Sequence, residues 1–226
     1  MSARHSEAAV HGEREVRIPV DGTALLGDLC LPGLARGIVV FAHGSGSGRR
    51  SPRNRQVAAF LREAQLATLL VDLLTPEEAA RDERTGEHRF DIELLAARVG
   101  EATRWLAAQP DTGALPQGYY GASTGAAAAL VAAAANPHLA KAVVSRGGRP
   151  DLAGDALPRV MAPTLLIVGG DDTVVLGLNR EALEELRCPK RLEIVPGATH
   201  LFEEPGTMDA VARLARAWFV DHLSAA

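Results

Sequence analysis

The chain has 226 residues, of which 47% are hydrophobic and 23% charged, and its formal net charge is −4. This length suits one α/β domain with a full core, and the lack of a long basic tract argues against nucleic-acid binding. No apolar run reaches the roughly 18 residues of a membrane span, and the first residues lack the apolar centre of a signal peptide. Cys30 and Cys188 are far apart in sequence, so we expect free, buried thiols and a cytoplasmic location.

Hydrophobic runs bounded by turn residues predict eight strands. An Asp21-Gly22 turn joins the first two as an antiparallel hairpin at one edge of a sheet. Most later runs are continuously apolar, which is typical of strands buried on both faces. Residues 1–13 are predicted to be a disordered or loosely attached tail, and residues 14–226 a single domain. The predicted strands cover residues 16–20, 24–29, 37–42, 67–72, 117–120, 141–145, 164–168 and 191–195.

Amphipathic or capped segments between these strands predict helices. Thr75 and Glu78 form a capping-box pattern within the charged segment 73–90, the only insertion large enough to act as a small lid. The alternation of strands and helices predicts an α/β fold with a mostly parallel central sheet, helices on both faces and no large cap domain. The longer predicted helices cover residues 54–65, 91–108, 126–135, 180–186 and 208–223.

The sequence Gly121-Ala122-Ser123-Thr124-Gly125 lies between a predicted strand and a predicted helix. A Gly-x-Ser-x-Gly motif in this setting is typical of a nucleophile elbow, a sharp turn that exposes the serine hydroxyl. The two glycines are needed because a side chain at either place would collide with the neighbouring strand or helix. The motif therefore predicts Ser123 as a nucleophile.

Ser123, Asp172 and His200 each follow the carboxyl end of a different predicted strand. In a parallel sheet these ends share one edge, where ligands bind. A serine nucleophile needs a base to take its proton and a third group to orient that base. We predict His200 as the base and Asp172 as the orienting acid. Asp171 follows the same strand and stays open as the alternative acid.

The loop after the third predicted strand, residues 43–48, is rich in glycine. Its backbone can turn N–H groups towards a substrate carbonyl, and a helix start after a nucleophile supplies another donor. We therefore predict an oxyanion hole formed by the backbone N–H groups of Ser45 and Thr124. His43 is predicted to be a structural residue that bonds to nearby backbone. A phosphate-binding loop is the competing interpretation, but the Gly-Lys-Ser/Thr ending of such loops is missing.

Arg146 lies just past a strand end at the same edge as the three candidate catalytic residues. Guanidinium groups suit bidentate contacts with carboxylates, so we predict that Arg146 binds the substrate. A cluster of arginines after the glycine-rich loop is predicted mainly to be an exposed, charged start of a helix. No metal-ligand spacing is present, and we expect no metal and no cofactor. The cluster consists of Arg49, Arg50, Arg53 and Arg55.

These motifs resemble the α/β-hydrolase superfamily, and the short chain without a large cap resembles its dienelactone hydrolase branch. The match runs from about residue 16 to residue 223 and includes His43-Gly44, the Ser123 motif, Asp172 and His200. Residues 43–55, 120–125 and 146–149 are also similar to a bacterial group of dienelactone-hydrolase-like domains, some of them attached to phosphoribosyltransferase domains.

The resemblance implies an α/β-hydrolase fold and a hydrolase that acts on a small carboxylic ester or lactone. Dienelactone hydrolases proper carry a cysteine nucleophile in a motif closed by two glycines, whereas Ser123 is followed here by Gly125 and Ala126. This difference favours a serine esterase over an enzyme of dienelactone itself. The alternatives are a thioesterase or peptidase with the same triad, or a non-catalytic ligand-binding protein. We expect a monomer or a homodimer.

Overall fold

The computed structural model describes residues 10–223, which form one eight-stranded sheet covered by helices. The strand order is β1-β2-β4-β3-β5-β6-β7-β8. The first two pairs in this order, β1 with β2 and β2 with β4, are antiparallel, and every later pair is parallel. The predicted α/β-hydrolase architecture is therefore confirmed. The strands are β1 (Val10–Val20), β2 (Thr23–Pro32), β3 (Gly37–Ala42), β4 (Leu66–Val71), β5 (Gln117–Ala122), β6 (Ala140–Arg146), β7 (Thr164–Gly169) and β8 (Lys190–Val195).

The predicted hairpin is confirmed at the β1 edge of the sheet. Asp21 and Gly22 both have positive φ angles, 44° and 79°, as a tight turn between twisted strands requires. The boundary of the predicted tail was wrong, because β1 begins at Val10 and pairs as far as Pro32. A polar segment can form a strand there because an edge strand needs only one paired side. Residues 1–9 lie outside the described part of the chain.

Helices cover both faces of the sheet and create two large apolar clusters and one small one. On one face, α1 and α6 pack against each other and against β3 to β7; on the other, α3 and α4 pack together. Within residues 10–223, no helix combines the length and apolar character needed to cross a bilayer. The helices are α1 (Pro52–Glu63), α2 (Pro76–Thr85), α3 (Ile92–Ala108), α4 (Thr124–Ala135), α5 (Thr173–Glu185) and α6 (Thr207–His222).

The capping box that opens α2 is confirmed. The Thr75 hydroxyl accepts from the Glu78 N–H, and the Glu78 carboxylate accepts from the Thr75 N–H. The buried Arg98 on α3 then bonds to both Glu78 and Asp21, at 2.9 Å each, and so ties α2 to the β1–β2 turn. This short helix is therefore attached to the sheet at its N-terminal end.

Two helical segments differ from the sequence prediction. α5 begins at Thr173 instead of residue 180, since the carboxyl end of β7 turns directly into it. A 3₁₀ segment, Pro150–Arg159, follows β6 and was not predicted, because its Pro150, Gly154 and Pro158 are helix-breaking residues. Cys30 and Cys188 are buried free thiols, as expected.

Candidate active site

Ser123 occupies the sharp turn between β5 and α4. Its φ is 51° and its ψ −122°, a strained conformation for a residue with a side chain, which costs of order 1–3 kcal/mol. Hydrogen bonds with the end of β6 and with the turn after it connect Ser123 to the neighbouring strand. The Ser123 N–H donates to the Arg146 carbonyl at 3.2 Å, and the Arg149 N–H donates to the Ser123 carbonyl at 3.1 Å.

The two glycines of the motif are required by close backbone packing. A Cβ atom on Gly121 would lie 2.4 Å from the Ala126 Cα, and one on Gly125 would lie 2.3 Å from the Ala42 carbonyl oxygen. Both distances are far below van der Waals contact. The turn can therefore form only with glycine at these two positions.

The structure brings Ser123, His200 and Asp172 into one hydrogen-bonded chain. Ser123 Oγ lies 3.3 Å from His200 Nε2, and His200 Nδ1 donates to Asp172 Oδ2 at 2.7 Å. Asp172 precedes α5, but its side chain does not cap that helix, so the carboxylate is left for the imidazole. Asp171 is exposed, and its N–H donates to the Ala198 carbonyl. Of the two candidate acids, Asp172 is the one beside His200.

The turn that carries His200 is stabilised by contacts on both sides of that residue. The Glu204 carboxylate accepts from the Thr199 hydroxyl at 2.6 Å and from the Thr199 N–H at 3.1 Å. These bonds, led by the one from the hydroxyl, lower the pKa of Glu204. Phe202, only 2% exposed, anchors the other side in the core. The imidazole is thus held in place by its own loop as well as by Asp172.

The two predicted oxyanion donors lie beside each other at the start of α4. Thr124 is the first residue of α4, and the first N–H groups of a helix have no acceptor within the helix. The Ser45 N–H instead donates to the Thr124 hydroxyl at 2.9 Å. The sequence did not reveal this contact, which keeps the Ser45 backbone over the helix start.

Residues 43–49, named here the oxyanion loop, are fastened at both ends to Asp72 and Leu73, just after β4. The Leu73 N–H donates to His43 Nε2 at 3.0 Å, and the Arg49 N–H donates to Asp72 Oδ1 at 2.7 Å. His43 Nδ1 in turn lies 3.0 Å from the Gly44 carbonyl. Burial lowers the pKa of His43, although Gly44 and Asp72 oppose the shift. The ring is therefore neutral and has the structural position that was predicted for it.

Arg49 corrects the prediction of an exposed arginine cluster. Its side chain is buried and bonds to Asp28, to Asp72 at 3.1 Å and to Glu15 at 2.8 Å. Burial lowers its pKa, but these carboxylates outweigh that effect and the net pKa is raised. The network ties the oxyanion loop to β1, β2 and β4. Its partners are far apart in sequence, so no local pattern could have indicated it.

Ser123 opens onto a cavity of about 230 Å³. Ser45, His200, Arg53 and Arg146 also line it. The Arg146 side chain is thus in the position expected from the sequence, at the same sheet edge as Ser123. It is only 5% exposed. Across residues 10–223, no three His, Cys, Asp or Glu side chains are grouped so that they could bind a metal.

Comparison with known proteins gives the family. Residues 36–221 match the dienelactone hydrolase family. The chain belongs to the dienelactone hydrolase family. The resemblance found in the sequence is therefore confirmed.

Two proteins from Mycobacterium tuberculosis, one from strain CDC 1551 and one from strain H37Rv, are among the sequence relatives of this chain. The names of both proteins contain the words phosphoribosyl transferase. Each is 60% identical over 211 residues. The match covers 93% of the chain but 47% of either relative, so the chain spans about half their length.

Solved structures of dienelactone hydrolases and esterases have the same fold. A dienelactone hydrolase from Anabaena variabilis is 59% identical, with a TM-score of 0.93, and the match covers 94% of this chain and 98% of that one. Est1E from Butyrivibrio proteoclasticus is 16% identical, with a TM-score of 0.76 and coverage of 92% and 98%. At that identity, the likeness shows a shared fold.

Proposed function

We propose that the protein is a serine hydrolase that cleaves a small carboxylic ester or lactone. The proposal rests on the chain of contacts from Ser123 Oγ through His200 to Asp172, with separations of 3.3 and 2.7 Å. Membership of the dienelactone hydrolase family supports ester hydrolysis as the reaction class. These contacts match what an unactivated hydroxyl needs to become a nucleophile.

In the acylation step, Ser123 Oγ attacks the carbonyl carbon of the ester while its proton passes to His200 Nε2. Asp172 accepts the hydrogen bond from Nδ1, so the imidazole keeps Nε2 free for that proton and its positive charge is stabilised. His200 then gives the proton to the departing alkoxide. An acyl group remains on Ser123, and the alcohol leaves. For a lactone, the alcohol stays attached to the acyl group.

The tetrahedral intermediate carries its negative charge on the former carbonyl oxygen. We assign the stabilising donors to the N–H groups of Thr124 and Ser45. Thr124 starts a 12-residue helix, whose dipole also favours negative charge at this end. Ser45 must share or exchange its bond with the Thr124 hydroxyl when the oxyanion forms. Such fixed donors usually supply about 10²- to 10³-fold in rate each.

In the deacylation step, His200 takes a proton from water as the water oxygen attacks the acyl carbon, and His200 then returns this proton to Ser123 Oγ as the bond from Ser123 to the acyl group breaks and the acid leaves. The cavity beside Ser123 holds about 230 Å³, and the only helix added between β4 and α3 in the described chain is α2. We therefore infer small substrates, with acetyl to butyryl esters preferred over long acyl chains.

We propose that the phosphoribosyl transferase activity in the names of the Mycobacterium relatives belongs to the part of those proteins that this chain does not match. Two observations support this assignment. The chain covers 47% of each relative, and residues 36–221 match a hydrolase family.

The test is hydrolysis of 4-nitrophenyl acetate and butyrate, with the thioester and amide of the same acyl groups alongside. We expect ester cleavage, and a loss of at least about 10³-fold in kcat for Ser123→Ala and His200→Ala, as for other enzymes of this type. Circular dichroism checks that the variants fold. Equal rates of ester hydrolysis for Ser123→Ala and the unmodified protein would refute the proposal. Faster thioester or amide cleavage would change the substrate class while leaving the triad in place.

A further inference from the structure

A short turn after β6 lies between the nucleophile and the base. Residues 146–149, named here the β6 turn, hydrogen-bond to Ser123 on both sides. The carbonyl of the first turn residue accepts from the Ser123 N–H at 3.2 Å, and the N–H of the last one donates to the Ser123 carbonyl at 3.1 Å. The turn also packs against His200, because a Cβ atom added at Gly147 would lie 3.2 Å from the His200 carbonyl oxygen and 3.7 Å from its Cε1. A shift of this turn would therefore displace both Ser123 and His200.

Asn179 bonds to the middle of the β6 turn. This residue lies on α5 and is 0% exposed. Its Nδ2 atom donates to the Gly148 carbonyl at 3.0 Å and to a carbonyl one turn earlier in α5 at 2.8 Å. Because both acceptors are carbonyl oxygens, the nitrogen of the amide is the atom that faces them. α5 begins directly after Asp172, so one side chain connects the helix that follows the orienting acid to the turn beside Ser123 and His200.

The middle of the β6 turn is tightly packed. A Cβ atom added at Gly148 would lie 2.0 Å from Ser145 Oγ and 2.6 Å from Ala126 Cβ. Ser145 belongs to β6, and Ala126 belongs to α4, the helix that follows Ser123. Close packing of this kind passes a displacement on to the neighbouring residues, because there is little room to absorb it. We therefore expect the loss of the Asn179 contact to move the elbow as well as the turn.

Stability alone does not explain an asparagine at this position. Asn179 Oδ1 is buried and has no hydrogen-bond partner within residues 10–223. An unpaired buried acceptor costs stability, and an apolar residue of the same size would avoid that cost. An unpaired group of this kind in a folded protein calls for an explanation, and a functional role is one of those known. The bond to Gly148, beside the nucleophile and the base, supplies such a role.

We propose that Asn179 is a positioning residue, which keeps the β6 turn, and with it Ser123 and His200, at the separation that proton transfer requires. Asn179 is fully buried, so it acts through the turn and does not touch the substrate. Ser123 Oγ lies 3.3 Å from His200 Nε2, already at the upper end of the range for a base and the group that it deprotonates. A small displacement of the turn would therefore break this contact. The inference rests on the proposed function, because the separation affects the rate only if the proton passes between these two atoms.

The first experiment measures the hydrolysis of 4-nitrophenyl butyrate by Asn179→Leu, which keeps the approximate size of the side chain but loses both of its hydrogen bonds. We expect kcat to fall about 10- to 100-fold, because a misplacement of about 1 Å can cost 100-fold, while KM changes by less than about threefold. If Asn179→Leu does not fold, Asn179→Ala, which adds no atom to a packed site, takes its place. A kcat that stays within about threefold of that of the unmodified protein overturns the inference.

Thr103→Val is the matched control for this experiment. The Thr103 side chain is also buried, at 0% exposed, and its hydroxyl lies 2.9 Å from the Tyr119 hydroxyl, so that it connects α3 to β5 and not to the β6 turn. This variant should keep its kcat, and its Tm should lie within about 5 °C of that of the Asn179 variant. A kcat that falls equally in both variants overturns the inference, because the effect would then follow from lost stability.

The second experiment requires no activity. Crystal structures of the unmodified protein and of Asn179→Ala are compared for the separation of Ser123 Oγ and His200 Nε2. We expect this separation to increase by at least about 0.5 Å, the tolerance within which catalytic groups must be held. An unchanged separation overturns the inference and leaves the hydrolase standing. An increased separation in a protein whose unmodified form cleaves no ester supports the positioning by Asn179 and refutes the proposed function instead.

Discussion

The attachment of the oxyanion loop to Asp72 makes a specific prediction for Asp72→Asn. Asp72 accepts the Arg49 N–H at 2.7 Å through Oδ1 and the Arg49 Nε–H at 3.1 Å through Oδ2. Asparagine can keep the first bond but places an amide NH₂ opposite Nε, so one bond to a charged group is lost. Such a bond is worth about 1.5–3 kcal/mol. We expect the free energy of unfolding to fall by that amount.

The same change should reduce activity, because the loop carries the Ser45 N–H. Displacement of a single donor costs up to about 10²- to 10³-fold, and a partial shift of the loop should lower kcat by about 10-fold with a smaller change in KM. Urea unfolding and steady-state kinetics with 4-nitrophenyl butyrate measure the two effects. At about 2–4 °C per kcal/mol for a chain of this size, Tm should drop by roughly 3–12 °C.

Asp111→Asn is the matched control for this experiment. Asp111 also pairs with an arginine, Arg14, but both side chains are largely exposed, 40% and 53%. Surface pairs contribute about 0–1 kcal/mol, so this variant should keep its stability to within about 1 kcal/mol and its kcat. If Asp72→Asn behaves like Asp111→Asn in both assays, the oxyanion loop is not held by Asp72 as argued.

Three further predictions concern the elbow, the orienting acid and the buried imidazole. Asp172→Asn should lower kcat by about 10⁴-fold in ester hydrolysis, whereas Asp171→Asn should stay near the unmodified rate. Gly125→Ala should yield insoluble or unfolded protein on expression, because the added Cβ would lie 2.3 Å from a backbone oxygen. As the control, Gly177→Ala adds a Cβ in open space and should unfold at the same temperature as the unmodified protein or a higher one. Burial lowers the pKa of His43 from 6.5, so as the pH falls the His43 imidazole is protonated in the unfolded chain before it is protonated in the folded one. The free energy of unfolding should therefore fall as the pH drops below 6.5. In His43→Gln this fall should be less steep.

The sequence was sufficient to locate the candidate site because each candidate catalytic residue follows a strand with a clear pattern. The apolar runs before Ser123, Asp172 and His200 fixed three strand ends, and a parallel sheet brings such ends to one edge. The choice between Asp171 and Asp172 was left open, since both follow β7. Only the backbone path decides it, by turning one carboxylate towards the imidazole and the other towards solvent.

Contacts between distant residues could not be predicted in this way. The pairing of Arg49 with Glu15, Asp28 and Asp72 depends on how three strands and a loop meet, so the arginines were expected to be mainly exposed. The bond between the Ser45 N–H and the Thr124 hydroxyl is of the same kind. In both cases, residue type indicates what a side chain can bind, while the fold determines what it reaches.

The most direct test of the central claim is covalent labelling by an uncharged fluorophosphonate, followed by mass spectrometry of the intact protein and its peptides. We predict one phosphonyl group per chain, attached to Ser123, and a loss of esterase activity in proportion to labelling. Ser123→Ala should remain unlabelled. Esterase activity that persists after complete labelling, or an unchanged mass after long exposure, would contradict the account of Ser123 as the nucleophile.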